Sequence, residues 1–182
     1  SHTHHGPVLE LIDEPDCGKG KFDNAIKYVT DLENKICEAI SEASSKLTPA
    51  KIGWISEQTD FNRNRTSKKE PKVRDPELTL IRIDTVDNKP IAAVVNFSAH
   101  AILDNILDRK WSPDWPGIMQ KRFEELINVP CIFLQGSTGD MSPNTNEQRK
   151  GMIGFGNAIG EYAAVLYSKT QTQIPAQPQI QY

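Results

Sequence analysis

Leu78-Thr79-Leu80-Ile81-Arg82-Ile83-Asp84, then Val86-Asp87-Asn88-Lys89, then Ile91-Ala92-Ala93-Val94-Val95-Asn96-Phe97, is the stretch that decides the fold. Two runs rich in β-branched residues flank a polar turn, which is the pattern of a β-hairpin. The second strand runs straight into Ser98-Ala99-His100, so an imidazole stands at a strand end.

Working outward, the pattern changes to helices. Downstream, Trp111-Ser112-Pro113-Asp114-Trp115-Pro116-Gly117 is a turn-rich link into a helix over Ile118 to Ile127. Cys131 to Leu134 reads as a short buried strand between Pro130 and Gly136, and a second amphipathic helix spans Met152 to Tyr167. Upstream, Phe22, Ala25, Ile26, Val29, Leu32, Ile36, Ala39, Ile40 and Ala43 recur at three and four residues, so Phe22 to Leu47 predicts one long amphipathic helix. Asp23 and Asn24 supply its N-terminal polar signal, and Pro49 lies just past its end. Ile52 to Ser56 predicts a short strand. Glu57 to Pro76 reads as a long polar, basic loop carrying Asn62-Arg63-Asn64-Arg65 and Lys68-Lys69; loops of that length are usually functional or mobile. Strands mixed with helices predict an α/β layered domain with a mixed β-sheet flanked by helices.

Bulk composition excludes several classes. A chain of 182 residues suits one domain or the larger part of one, and can bury a real core. With 37% hydrophobic and 25% charged residues it has the make-up of a folded protein rather than a disordered one. A formal charge of −3 and a pI near 5.8 leave no basic footprint for nucleic acid. No apolar run approaches the roughly 18 residues of a membrane span. Cys17, Cys37 and Cys131 are widely spaced, with no CxxC pair, and predict neither a zinc knuckle nor a disulfide framework. The chain lacks an initiator Met and opens inside a candidate site, so it reads as a piece of a longer protein; the lack of a signal-like segment then says nothing about secretion.

The chemistry-bearing residues are concentrated. All four histidines lie in Ser1-His2-Thr3-His4-His5-Gly6-Pro7 and Asn96-Phe97-Ser98-Ala99-His100, and Gly139-Asp140-Met141-Ser142-Pro143-Asn144 places a serine in a turn after an apolar run. In an extended segment His2 and His4 project to one side, because side chains alternate with a period of two. His-x-His therefore suits one metal, or one ligand plus one base, and His100 is a further candidate ligand, since zinc takes neutral imidazole and needs three or four ligands. Plainer readings stand beside these. The opening run also matches the end of a purification tag, His100 fits a packed histidine, and Ser142 fits ordinary turn chemistry. Arg63 and Arg65 fit solvated loop arginines as well as a carboxylate or oxyanion clamp. Asp114 is a turn former or an acid behind the site.

In combination these motifs resemble the N-terminal catalytic domain of the neutral/alkaline, non-lysosomal ceramidase family. The matching residues are His2-Thr3-His4-His5-Gly6-Pro7, Asn62-Arg63, Asp75-Pro76-Glu77-Leu78-Thr79-Leu80, Asn96 through His100, and Gly139 through Asn144. The resemblance covers residues up to about Tyr167. It implies a ceramidase-like catalytic domain over 1–168, lacking upstream and downstream parts, followed by an extended Gln/Pro-rich tail over 169–182. By that resemblance His2 and His100 bind Zn2+, His4 sits beside the scissile amide, Arg63 contacts the reacting group, and Ser142 is the active-site serine.

The implied function is zinc-dependent hydrolysis of the N-acyl bond of ceramide or a related N-acyl lipid. A metal-free serine hydrolase and a non-catalytic binding module of the same fold are the alternatives. The implied partner is a lipid-like small molecule, with peripheral membrane contact compatible with it, in a secreted, periplasmic or cell-surface setting. The family's zinc sites also use a Glu and a Tyr from much later in the chain, beyond this sequence. His5 stands where the family usually has Ser, and Ala101-Ile102-Leu103 replaces a small polar run after the strand histidine. By the resemblance, those positions border the substrate.

Overall fold

The computed structural model describes residues 2–7, 15–16, 19–108 and 110–176, and the chain divides into two units, Gly6–Thr48 and the combination of Ser1–His5 with Pro49–Tyr182. Cys17 and the part of the tail beyond residue 176 lie outside the described residues.

The smaller unit contains helix α1 (Asp23–Ser45), within the expected bounds. It starts from Phe22, which sits in the left-handed region (φ 59°) and whose carbonyl accepts from the amides of Ala25 and Ile26 at 2.9 and 3.1 Å. None of its residues is buried.

The larger unit carries the sheet. In chain order its elements are β1 (Ala50–Gln58), β2 (Asn62–Asn64), β3 (Glu77–Thr85), β4 (Pro90–Phe97), α2 (Asp114–Ile127), β5 (Cys131–Gln135), β6 (Met141–Pro143) and α3 (Gly151–Lys169). Four strands form one sheet in the order β1-β3-β4-β5, antiparallel except for the β4–β5 pair. Parallel neighbours need a crossover, and α2 supplies it between β4 and β5. The sheet is therefore mixed and backed by helices, as expected. The β3–β4 hairpin forms with its turn at the expected place: Thr85 and Lys89 close it through N–H to O=C at 2.8 Å, and Asn88 takes a positive φ of 66°. Asparagine tolerates that region because its short polar side chain bonds locally.

Alternation sorts the strand residues into two faces. Leu78 and Leu80 of β3, Val95 and Phe97 of β4, and Phe133 of β5 point inward, against Trp115, Met119 and Phe123 of α2 and Phe155, Ile159 and Leu166 of α3. The Trp115 ring meets Phe97, Phe133 and Phe155 edge-on, with centroids 6.3, 5.0 and 5.3 Å away. The two helices approach closely because α3 is nearly bare at two positions. A Cβ on Gly156 would stand 2.6 Å from Ile118 Cβ, and one on Gly160 would stand 2.8 Å from the Met119 carbonyl.

Three details differ from the sequence expectation. Helix α2 begins four residues earlier than the expected Ile118, at Asp114, and β2 and β6 are three-residue strands where only loop was expected. Strand β1 is also longer at both ends than Ile52 to Ser56. After α3 the described part of the tail is non-helical, and Thr170 is in the extended region. The chain returns to β1, where Ile52 and Gln173 exchange two backbone hydrogen bonds of 3.0 Å.

Candidate functional site

Strand β4 delivers His100, and three backbone and ring contacts fix it. Its N–H donates to the Met141 carbonyl at 3.0 Å, its carbonyl accepts from Trp115 Nε1 at 3.1 Å, and its Nδ1 lies 2.9 Å from the Thr138 carbonyl. A carbonyl only accepts, so Nδ1 carries the proton and Nε2 presents its lone pair. A backbone carbonyl on one ring nitrogen is the usual way a ligating histidine is oriented.

The opening segment lies beside this residue. Thr3 forms a parallel bridge with Ala101 and donates its hydroxyl to the Ser112 carbonyl at 2.9 Å. The His2 amide donates to Gln135 Oε1 at 2.7 Å, and the Ser112 amide to the His5 carbonyl at 3.2 Å. With Thr3 pinned, His2 and His4 fall on either side of it and both reach His100. The three ring centroids stand 4.8–5.2 Å apart. His4 Nε2 is 3.0 Å from His100 Nε2, and one nitrogen from each ring lies within 4.8 Å of the others.

This geometry fits a metal. Two nitrogens on one tetrahedral zinc, each at about 2.0–2.1 Å, stand roughly 3.3 Å apart. Burial lowers the pKa of His4, and the neighbouring His100, His2, Arg65 and His5 charges lower it further. Every one of these effects favours neutral imidazole, the form that binds a cation. His5 is not part of the cluster: it is buried, and neither ring nitrogen has a hydrogen-bond partner among the described residues.

The arginine nearest the cluster is Arg65. Its Nη2 donates to the Gly139 carbonyl at 2.9 Å and lies 3.3 Å from His100 Nδ1. Because Nδ1 already carries a proton, that second contact is proximity of charge rather than a hydrogen bond. Arg63 is the cross-strand partner of Ser142 in the β2–β6 pair, and its side chain lines a separate cavity with Lys72 and Arg74. Among the described residues no hydrogen bond joins Arg63 to the histidines.

Ser142 sits buried in the middle of β6, one residue after the carbonyl that receives the His100 amide. Its hydroxyl makes no hydrogen bond among the described residues, to an imidazole or to any other group. The loop around it is interlocked with β2: Asn64 Nδ2 donates to Asp140 Oδ2 at 2.7 Å, the Arg65 amide to the Asp140 carbonyl at 2.8 Å, and the Asn144 amide to the Phe61 carbonyl at 2.7 Å. Asn62 Nδ2 donates to the Ser98 carbonyl at 2.6 Å and to the Asp75 carbonyl, and Ser98 Oγ donates to Asp75 Oδ2 at 2.6 Å. The motif-bearing stretches thus converge through both backbone and side-chain hydrogen bonds.

Asp114 is fully buried with a positive φ of 52°. Its carboxylate accepts from the amides of Asp104 at 2.8 Å and Trp115 at 2.6 Å. It organises the turn that carries Ser112, and it does not touch the imidazoles.

A curated relative, neutral ceramidase B of Dictyostelium discoideum, is 27% identical over 80% of this chain and is covered over 23% of its own length. The chain is similar to part of the neutral ceramidases. The fold agrees: neutral ceramidase from Pseudomonas aeruginosa superposes with a TM-score of 0.63 over 81% of this chain and 26% of its own, at 19% identity. A ceramidase complexed with C2 gives 0.58 over 71% and 23%, at 18% identity. No family model matches. This ceramidase-like chain spans about a quarter of the length of these relatives. Among its described residues no helix is long and apolar enough to cross a membrane.

Proposed function

We propose that the chain carries part of the active site of a zinc-dependent amide hydrolase of ceramidase type, acting on ceramide or a related N-acyl lipid. The observation that carries this reading is the cluster of His2, His4 and His100, with the His100 proton committed to Thr138. The similarity to neutral ceramidases supports the reaction class.

His2 and His100 are the residues that hold the ion, and His4, beside both, is placed to accept and return a proton. Zinc in such a site polarises a carbonyl and lowers the pKa of water toward about 7. Arg65, rather than Arg63, brings positive charge to the cluster, where it offsets negative charge developing on an amide oxygen. Ser142 contributes a hydroxyl next to the His100 backbone. A serine nucleophile is normally hydrogen-bonded to its base at about 2.6–3.2 Å, and Ser142 makes no such bond among the described residues, which favours the metal route.

The test is metal analysis and turnover of the full-length protein. About one zinc per chain, loss of N-acylsphingosine hydrolysis on chelation, and recovery on adding zinc are expected. Hydrolysis that survives chelation, with fluorophosphonate labelling of Ser142, would overturn the proposal.

A further inference from the structure

The side chain of Arg63 faces a cavity of about 350 Å³ lined also by Asn62, Asn64, Lys72, Arg74 and Asn144. Three cations and three amides around one cavity are an unusual lining for a chain whose formal charge is −3. The segment 63–74 holds six cations, Arg63, Arg65, Lys68, Lys69, Lys72 and Arg74, against one carboxylate, Glu70. Asp60 borders the cavity, and its charge is already matched: Arg149 grips it through a two-pronged fork at 2.8 and 2.7 Å.

The lining is partly rigid. Arg74 Nη1 donates to the Thr59 carbonyl at 2.7 Å and to Asn62 Oδ1 at 3.2 Å. Asn64 Nδ2 donates to the Val73 carbonyl at 2.8 Å, and Asn144 Nδ2 to the Asp60 carbonyl at 2.8 Å. Arg63 is rooted in β2 between these anchored residues. Neither its guanidinium nor the Lys72 ammonium has a hydrogen bond or ion pair among the described residues. Arg63, Lys72 and Arg74 are exposed, so their charges are hydrated, and an anion seated among them gains attraction from all three. Guanidinium forks match the oxygens of phosphate and sulfate, and an ammonium adds a mobile point charge.

From this we infer that the cavity between β2 and the 72–74 segment binds a phosphate- or sulfate-class oxyanion, held by Arg63, Lys72 and Arg74. Its volume leaves room for a substituent on the anion. Arg63 being the cross-strand partner of Ser142 roots the cavity in the strand pair that also carries the candidate serine. The inference rests on this cavity alone and not on the hydrolase reading.

The test uses the full-length protein and the Arg63→Gln/Lys72→Gln double variant, with Lys121→Gln as a control outside the cavity. Inorganic phosphate is titrated by calorimetry, and vesicles of neutral lipid with and without phosphatidylglycerol are co-sedimented with each protein. Saturable phosphate binding, weakened at least tenfold in the double variant and unchanged in the control, is expected for a soluble ligand. Sedimentation with anionic vesicles alone, lost in the double variant, assigns the anion to a lipid headgroup. Equal binding by wild type and double variant, or binding of neither probe by wild type, overturns the inference. Zinc content and thermal unfolding of the same samples separate this outcome from failure of the metal site or of folding.

Discussion

At the scale of single residues, the family resemblance points to Arg63 at the reacting group, whereas the arginine beside His100 is Arg65. Arg63 and Arg65 are two apart, so in extended chain they point to one side, and periodicity cannot choose between them. The β2–β6 register and the carbonyl of Gly139 bring the Arg65 guanidinium to 3.3 Å from His100 Nδ1, the geometry on which the proposal of Arg65 rests. The expected outcome of Arg65→Gln is a fall in kcat of roughly 10²-fold, the usual effect of removing one preorganised donor from a developing oxyanion. Arg63→Gln is expected to change kcat less than about threefold, and steady-state hydrolysis of N-acylsphingosine by the full-length protein checks both. Asp114 gives a second residue-scale outcome, on stability. Asp114→Ala strands the buried Trp115 amide and the half-buried Asp104 amide and leaves alanine at a positive φ. A loss of about 1–3 kcal/mol is expected from the unmet donors, read by chemical denaturation. The convergence of three histidines was also legible only as two separate motifs. The pin that brings them together, Thr3 on Ala101 and Ser112, is a long-range contact with no sequence signature.

At the scale of elements, long periodic segments were readable and short ones were not. The hairpin, α1, β5 and α3 stand where alternation or the 3.6-residue period puts them, within a few residues. Strands β2 and β6 have three residues each, too few for any period to register. They exist because Asn62 and Asn64 are anchored by side-chain bonds that only the fold reveals. Helix packing supplies a further test. Gly156→Ala places a methyl 2.6 Å from Ile118 Cβ and 2.8 Å from the Trp115 carbonyl. Overpacking of this kind typically costs about 1–3 kcal/mol, so a lower Tm with an unchanged far-ultraviolet spectrum is expected.

The segment joining β1 to β2 titrates in a defined direction. The Arg149 fork holds the Asp60 carboxyl below its ordinary range, and Arg149 itself lies over the Phe61 ring at 4.9 Å. A carboxyl depressed in the fold stabilises it above the unfolded pKa and loses that effect as pH falls through the folded value. Wild type is therefore expected to be more stable than Asp60→Asn at pH 7, with the gap closing on acidification below the ordinary carboxylate range. A gap that stays constant from pH 7 to pH 2 would show that the ion pair contributes nothing.

At the scale of the whole molecule, the cluster joins two parts of the chain that are far apart in sequence. His2 and His4 are held on the sheet by Thr3, the His2 amide and the His5 carbonyl, whereas His100 is locked by β4, Trp115 and Thr138. A cation shared by these imidazoles binds the folded arrangement and has no equivalent site once the segments separate. Ligand linkage then requires stabilisation by RT ln(1 + [L]/Kd), about 2.7 kcal/mol at a hundredfold excess over Kd. Zinc is expected to raise the Tm of the wild-type chain, and the rise should vanish in His100→Ala. In His2→Ala the rise should vanish as well, since that variant removes the other residue proposed to hold the ion. Differential scanning calorimetry at matched free zinc measures all three. An equal rise in all three proteins would place zinc elsewhere on the surface, and the convergence of the histidines would then be a packing arrangement without a metal role.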